Sequence, residues 1–233
     1  FLAAERANFT APQIYARAHM ALSLAHLGDF DRAFKIMREA QSISGSLNLT
    51  AFVNLPILLE AHLHILAGNA HQARRLLPES MDRLELSRTE PVMFSLIVTT
   101  KMLLKLAAEE FDELLSEVDD AIDLVEHGGL IIILPELQLL KARALMGLNR
   151  RDEAAALLSD AAARARYFGV KKSLLPILAL QMEVEKELGN ESAAEVARQE
   201  GQTIVAFFAS HISDPAFREK FMHTEVVRAL HNK

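Results

Sequence analysis

Apolar residues recur along this chain at helical spacing. Over 30–47, Phe30, Ala33, Phe34, Met37, Ala40 and Ile43 form an i, i+3, i+4, i+7 stripe. Phe111, Leu114, Leu115, Val118, Ala121, Ile122 and Val125 form the same stripe in a later segment. Strand-like alternation is nearly absent. The one competing run is Leu130–Leu134, "LIIIL", rich in β-branched residues. Periodicity alone cannot separate a buried strand from a buried helix there.

The stripes come in units. "LAHLGDFDRAFKIMREA" ends at Ala40, and comparable segments end at Ser80, Ala121, Ala161 and Gly201, spaced by 40, 41, 40 and 40 residues. A second column holds Ala33, Ala73, Leu114, Ala154 and Ala194, and a third holds Ala21, Ala61, Met102, Ala142 and Met182. Mostly small residues at one point of a helix pair let two backbones approach closely. A period of this length therefore reads as a stack of helix pairs. The register assigns "LIIIL" to helix, since the matching segments at 51–55 and 171–175 are not strand-like.

Turn residues carry the same register. Gly28-Asp29, Gly68-Asn69, Asn149-Arg150 and Gly189-Asn190 fall between the two helices of a pair, where Gly suits a left-handed helix end and Asp or Asn caps the next helix. Glu109-Glu110 occupies this place in the third unit and lacks that chemistry. Asn8, Asn48, Arg88, Gly129 and Gly169 close the second helices. New helices start at Thr10-Ala-Pro12-Gln13 and Thr89-Glu-Pro91, and Pro56, Pro135 and Pro176 are expected in first turns. Near the end, Ser213-Asp214-Pro215 starts a short helix and Thr224 is expected to cap the last one. Because Asn8 stands where a second helix ends, 1–9 is expected to be the tail of a preceding repeat helix. The chain is then a C-terminal slice of a longer solenoid, which its start at Phe1 fits.

Composition narrows the class. The 233 residues are 51% hydrophobic and 24% charged, enough apolar area to exclude disorder. No run of about 18 apolar residues occurs, so no membrane span or membrane partner is expected. The net charge of −6 gives no electrostatic footprint for nucleic acid. Cys is absent, which excludes disulfides and thiolate chemistry and fits a reducing, cytoplasmic setting.

The small-residue columns, the Leu-Gly and Ala-Gly turns at 27–28, 67–68 and 188–189, and "LGDFDRAF" resemble tetratricopeptide repeats over 11–210. The longer period resembles the C-terminal repeat regions of large bacterial signal-transduction ATPases, the maltose-regulon activator family and ATPase-fused nucleotide cyclases. "LPELQLLKARALMGLNRRDEAAALLSDAAARAR" is the stretch most like them, and the tail "ISDPAFREKFMHTEVVRAL" resembles how some of them end. The expectation is an all-α, right-handed α-solenoid of about five antiparallel helix pairs. The pairs are 10–48, 49–88, 89–129, 130–169 and 170–210, with 211–233 as a capping helix or two.

Candidate chemistry is sparse. His62 and His64 are two apart on a helix and point to different faces, and no third ligand joins Glu60 and His64 or His19 and His26. No metalloprotease, phosphate-loop or nucleophile-elbow motif occurs, so neither catalysis, a metal nor a cofactor is expected. Glu109–Asp120 holds seven acids and no base, and these are expected to line solvated faces. The three N-x-S/T triplets at Asn8, Asn48 and Asn190 are read as helix caps and ends rather than glycosylation sites. The remaining site is the concave face that first helices line in tetratricopeptide stacks. By register it holds Tyr15, Leu22, Leu55, Leu58, His62, Leu96, Thr99, Leu103, Leu139, Arg143, Glu183 and Lys186. The expected role is protein interaction or regulatory sensing within a larger bacterial signalling or transcription regulator. The partner is a protein or peptide, including another domain of the same parent; the alternative is a receptor for a short peptide or small effector. An uncovered apolar end near Tyr15 and Met20 would also let the chain self-associate.

Overall fold

The computed structural model describes residues 10–45, 50–77 and 91–231. Among these residues all regular structure is helical, with twelve α-helices and no strand. The expected tail at 1–9 and the helix ends at Asn8, Asn48, Ser80 and Arg88 lie outside the described residues. Contacts divide the chain into two compact units, Phe1–Thr100 and Lys101–Lys233, and the division falls inside a helix.

In the first unit, α1 (Thr10–His26) packs on α2 (Phe30–Gly45), and α2 on α3 (Thr50–Leu66). Then α3 packs on α4 (Ala70–Leu76), and α5 (Pro91–Ala107) begins. The second unit takes the end of α5 and continues with α6 (Phe111–Gly128), α7 (Leu134–Gly147), α8 (Arg151–Tyr167), α9 (Lys171–Glu187) and α10 (Glu191–His211). From α6 onward each helix packs on the next. Two short helices follow, α11 (Pro215–Met222) and α12 (Glu225–His231), and α12 packs on α9 and α10. The run "LIIIL" becomes a 3-10 turn at Ile131–Ile133 that leads into α7.

The small-residue columns are buried. Ala21, Ala33, Ala40, Ala61, Ala73, Ala142, Ala154 and Ala161 have no exposure, and Leu114, Ala194, Met102 and Met182 are buried with them. At Gly201 the approach is also close. A β-carbon there would lie 2.7 Å from the Leu230 side chain, so α12 rests directly on the α10 backbone. Gln202 fastens the contact by donating to the Leu230 carbonyl at 2.9 Å. Burial of Val227 and Leu230 is what lets a helix as short as α12 persist, since an isolated helix of that length is marginal in water.

Seven helix ends share one hydrogen-bond pattern. In the first, Asp29 N–H reaches the Leu24 carbonyl and Gly28 N–H the Ala25 carbonyl, with Gly28 at φ +79°. This is the Schellman ending. It recurs at Gly68, Glu109, Gly129, Asn149, Gly169 and Gly189, all at positive φ. Glu109 therefore adopts the same left-handed turn, at φ +59°, without the glycine or asparagine that favours it.

The caps follow expectation in part. Asp29 accepts a long bond from Arg32 N–H, and Asp214 caps α11 through Ala216 and Phe217 N–H. Asn69 and Asn190 make no side-chain cap bond; the Asn190 amide instead donates to Glu185 at 2.8 Å. That bond to a carboxylate is charge-assisted and fixes how the Asn190 side chain is turned. Thr224 donates back to the Phe221 carbonyl and so satisfies the preceding helix. Among the described residues α1 starts at Thr10, where the sequence places a helix start. Pro135 does fall in a first turn, but Pro56 and Pro176 sit inside α3 and α9, because those helices start farther upstream at Thr50 and Lys171.

Candidate functional site

The twelve residues expected on the concave face meet different environments. In the first unit, Leu58 is 1% exposed and packs between α3 and α5 against Ile97, with Leu96 at the edge of that cluster. His62 is buried, and its Nδ1 lies 2.9 Å from the Thr100 hydroxyl. That hydroxyl spends its single proton on the Leu96 carbonyl at 2.6 Å. The His62 ring therefore donates from Nδ1, which defines its tautomer. Thr99 is buried and its hydroxyl donates to carbonyls of its own helix. Tyr15, Leu22 and Leu96 are half-buried, while the side chain of Leu55 lies outside the described residues.

In the second unit, Leu139 is buried, Leu103 and Arg143 are half-buried, and Glu183 and Lys186 are exposed. The Arg143 guanidinium makes no ion pair or hydrogen bond among the described residues. Burial lowers its pKa from the ordinary arginine value, while the charges of Glu225 and Glu183 act to raise it. Three helices, α7, α9 and α12, thus direct one cation and two carboxylates toward the same region. Glu225 is absent from the sequence-derived set. Nothing in the repeat register points to it, because it lies beyond the last pair and arrives only through the packing of α12 on α9.

A second feature was also missed by sequence reading. An open depression of about 680 Å³ lies where α8, α9 and α10 meet. Arg166, Gln181, Asn190, Ser192, Val196 and Glu200 are among its lining residues. Arg166 grips Glu200 with two parallel bonds of 2.8 and 2.6 Å, and their charges largely neutralise each other across the helix pair.

Among the described residues no group of three or more His, Asp or Glu could hold a metal ion, and no helix is long and apolar enough to cross a membrane. The acidic run lies mainly on solvated faces, with Glu117 and Asp119 tied to Lys105 and Lys141. His64 packs its ring 4.6 Å from that of Phe34.

No family model, curated protein or solved structure matches this chain. Its functional reading therefore rests on its own residues.

Proposed function

We propose that this chain is a non-catalytic interaction module, a right-handed tetratricopeptide-like solenoid that binds a protein or peptide on the inner faces of its first helices. The turn geometry supports the repeat. Left-handed residues at 28, 68, 109, 149 and 189 stand 40, 41, 40 and 40 residues apart, one per pair. The observation that carries the binding proposal is partial exposure. Tyr15, Leu22 and Leu96 in the first unit and Leu103 in the second keep apolar surface in water on first helices. Such surface gains free energy when a partner covers it, at about 25 cal/mol per Å². A few well-covered anchors would supply most of the affinity. The setting we infer, a bacterial signalling or transcription regulator, rests on the sequence resemblance alone.

The convergence of Arg143 with Glu183 and Glu225 favours a second reading, a receptor for a small effector. Convergent polar groups are part of what a ligand pocket requires. Panning a random peptide library against the whole chain tests both. Selected peptides should bind Leu103→Glu and Tyr15→Glu at least about tenfold more weakly, with unchanged helix content. Equal binding to wild type and both variants removes the inner-face proposal. A loss confined to Arg143→Gln favours the receptor.

A further inference from the structure

The second unit exposes six large apolar side chains among its described residues: Leu124, Ile131, Ile132, Tyr167, Val196 and Phe207. All but Val196 lie at one end of the helix stack. Antiparallel packing brings the end of α6, the start of α7, the end of α8, the start of α9 and the end of α10 to that end. Polar contacts tie these segments together. Glu126 of α6 reaches Arg164 of α8, Glu136 of α7 reaches Lys172 of α9, and the Lys171 ammonium lies 4.9 Å from the centre of the Phe207 ring. Tyr167 is 85% exposed, far more than its ring needs for its hydroxyl to stay solvated.

We propose that this end of the second unit is the contact surface of a homodimer, meeting the same surface of a second copy. The proposal is independent of the inner-face reading, because it uses none of those residues. Two observations select a second copy as the occupant. The first is area. At roughly 200 Å² for a fully exposed large side chain, the five exposures amount to about 500 Å². A standard interface covers about 800 Å² per partner, a little over half of it apolar, so the supply matches the need. The second is charge. Segments 123–136, 164–172 and 207–212 hold four cations, Arg164, Arg166, Lys171 and Lys172, against three carboxylates, for a net charge of +1. The whole chain carries −6, so two copies repel elsewhere and meet here with least repulsion. Both signs sit side by side on this surface, as a two-fold interface needs for self-complementarity. A strongly anionic partner would call for a larger cationic excess.

Sedimentation velocity and light scattering of the whole chain, from micromolar to several hundred micromolar, test the proposal. The expected mass rises with concentration toward twice the 25.9 kDa of one chain. Tyr167→Ser combined with Phe207→Ser should raise the dissociation constant at least about tenfold at unchanged circular dichroism. Val196→Ser, at the exposed apolar residue away from this end, should leave it unchanged. If the double variant loses helix content, Ile132→Ser alone serves and should weaken the dimer severalfold. A monomer across the whole range overturns the proposal. So does a dimer indifferent to both the double variant and Ile132→Ser, or one weakened as much by Val196→Ser.

Discussion

His62 in the first unit and Arg143 in the second stand at the same point of the sequence register, on α3 and α7, yet meet opposite fates. His62 is buried and donates to Thr100 on the neighbouring helix. Arg143 is half-buried, has no ion pair among the described residues, and faces two carboxylates on other helices. The difference lies in the donor inventory. An imidazole N–H asks for one acceptor, and a single neighbouring hydroxyl oxygen supplies it. A guanidinium carries five donors and a fixed charge, so a hydroxyl cannot compensate its burial. One register column thus serves packing in one unit and stays half-exposed in the other.

Substitutions can break that comparison. The largest loss is expected for Leu58→Ala, the buried neighbour of His62 on α3. It should lower stability by about 3 kcal/mol in urea unfolding, whereas Leu103→Ala on half-buried α5 should cost about 1 kcal/mol. Next comes His62→Ala, expected to cost about 2 kcal/mol through the lost hydrogen bond and the space left behind. Arg143→Met should change stability by less than about 1 kcal/mol, in either direction, because the cost of burying the charge and the pull of Glu225 and Glu183 act against each other. A loss at Arg143 equal to that at His62 would falsify the division of roles between them.

The turns sharpen the same point at smaller magnitude. Glu109 takes the left-handed conformation that Gly68 takes without strain. Glu109→Gly should raise the urea midpoint, corresponding to about 0.5–1 kcal/mol. That is relief of strain less the extra freedom glycine gives the unfolded chain. Gly68→Ala should move the midpoint the other way.

The smallest effect is on pH dependence, and it arises in the second unit. Hydrogen bonds from Arg198 and then Gln199 hold the Glu195 carboxyl down to about 2. The hydrogen bond from Arg150 lowers that of Glu153. At Asp160 burial acts to raise the value, but hydrogen bonds from Gln138 and Arg164 outweigh it. For carboxyls lowered on folding, the unfolded state binds protons first as pH falls. Their stabilisation is complete above about pH 5 and fades between about pH 4 and 2. Arg198→Gln should flatten this acid limb slightly, and a thermal melt series across that range reads it. An unchanged limb would mean that the pair is too solvated to matter.

The helices were legible because burial imposes a 3.6-residue period on apolar positions. The small-residue columns were legible because close backbone approach excludes larger side chains. Ala33, Ala73, Ala154 and Ala194 announce buried contacts without any knowledge of their neighbours. The caps were less legible. Asn69 and Asn190 have the right chemistry, but a neighbour can turn the side chain to another use, as Glu185 does by accepting from the Asn190 amide N–H. The site was least legible. His62 and Thr100 are 38 residues apart, and Glu225 joins Arg143 only because α12 folds back onto α9.

By itself, then, the sequence determined the all-helical character of the described residues, the order of their helices, the turns that end most first helices, and the small positions where helices touch. These follow from local backbone preference and the partition of side chains between water and core. Only the tertiary structure decided which polar side chains are satisfied internally and which stay exposed. That outcome depends on donors and acceptors brought together across helices, and spacing along one helix does not encode it.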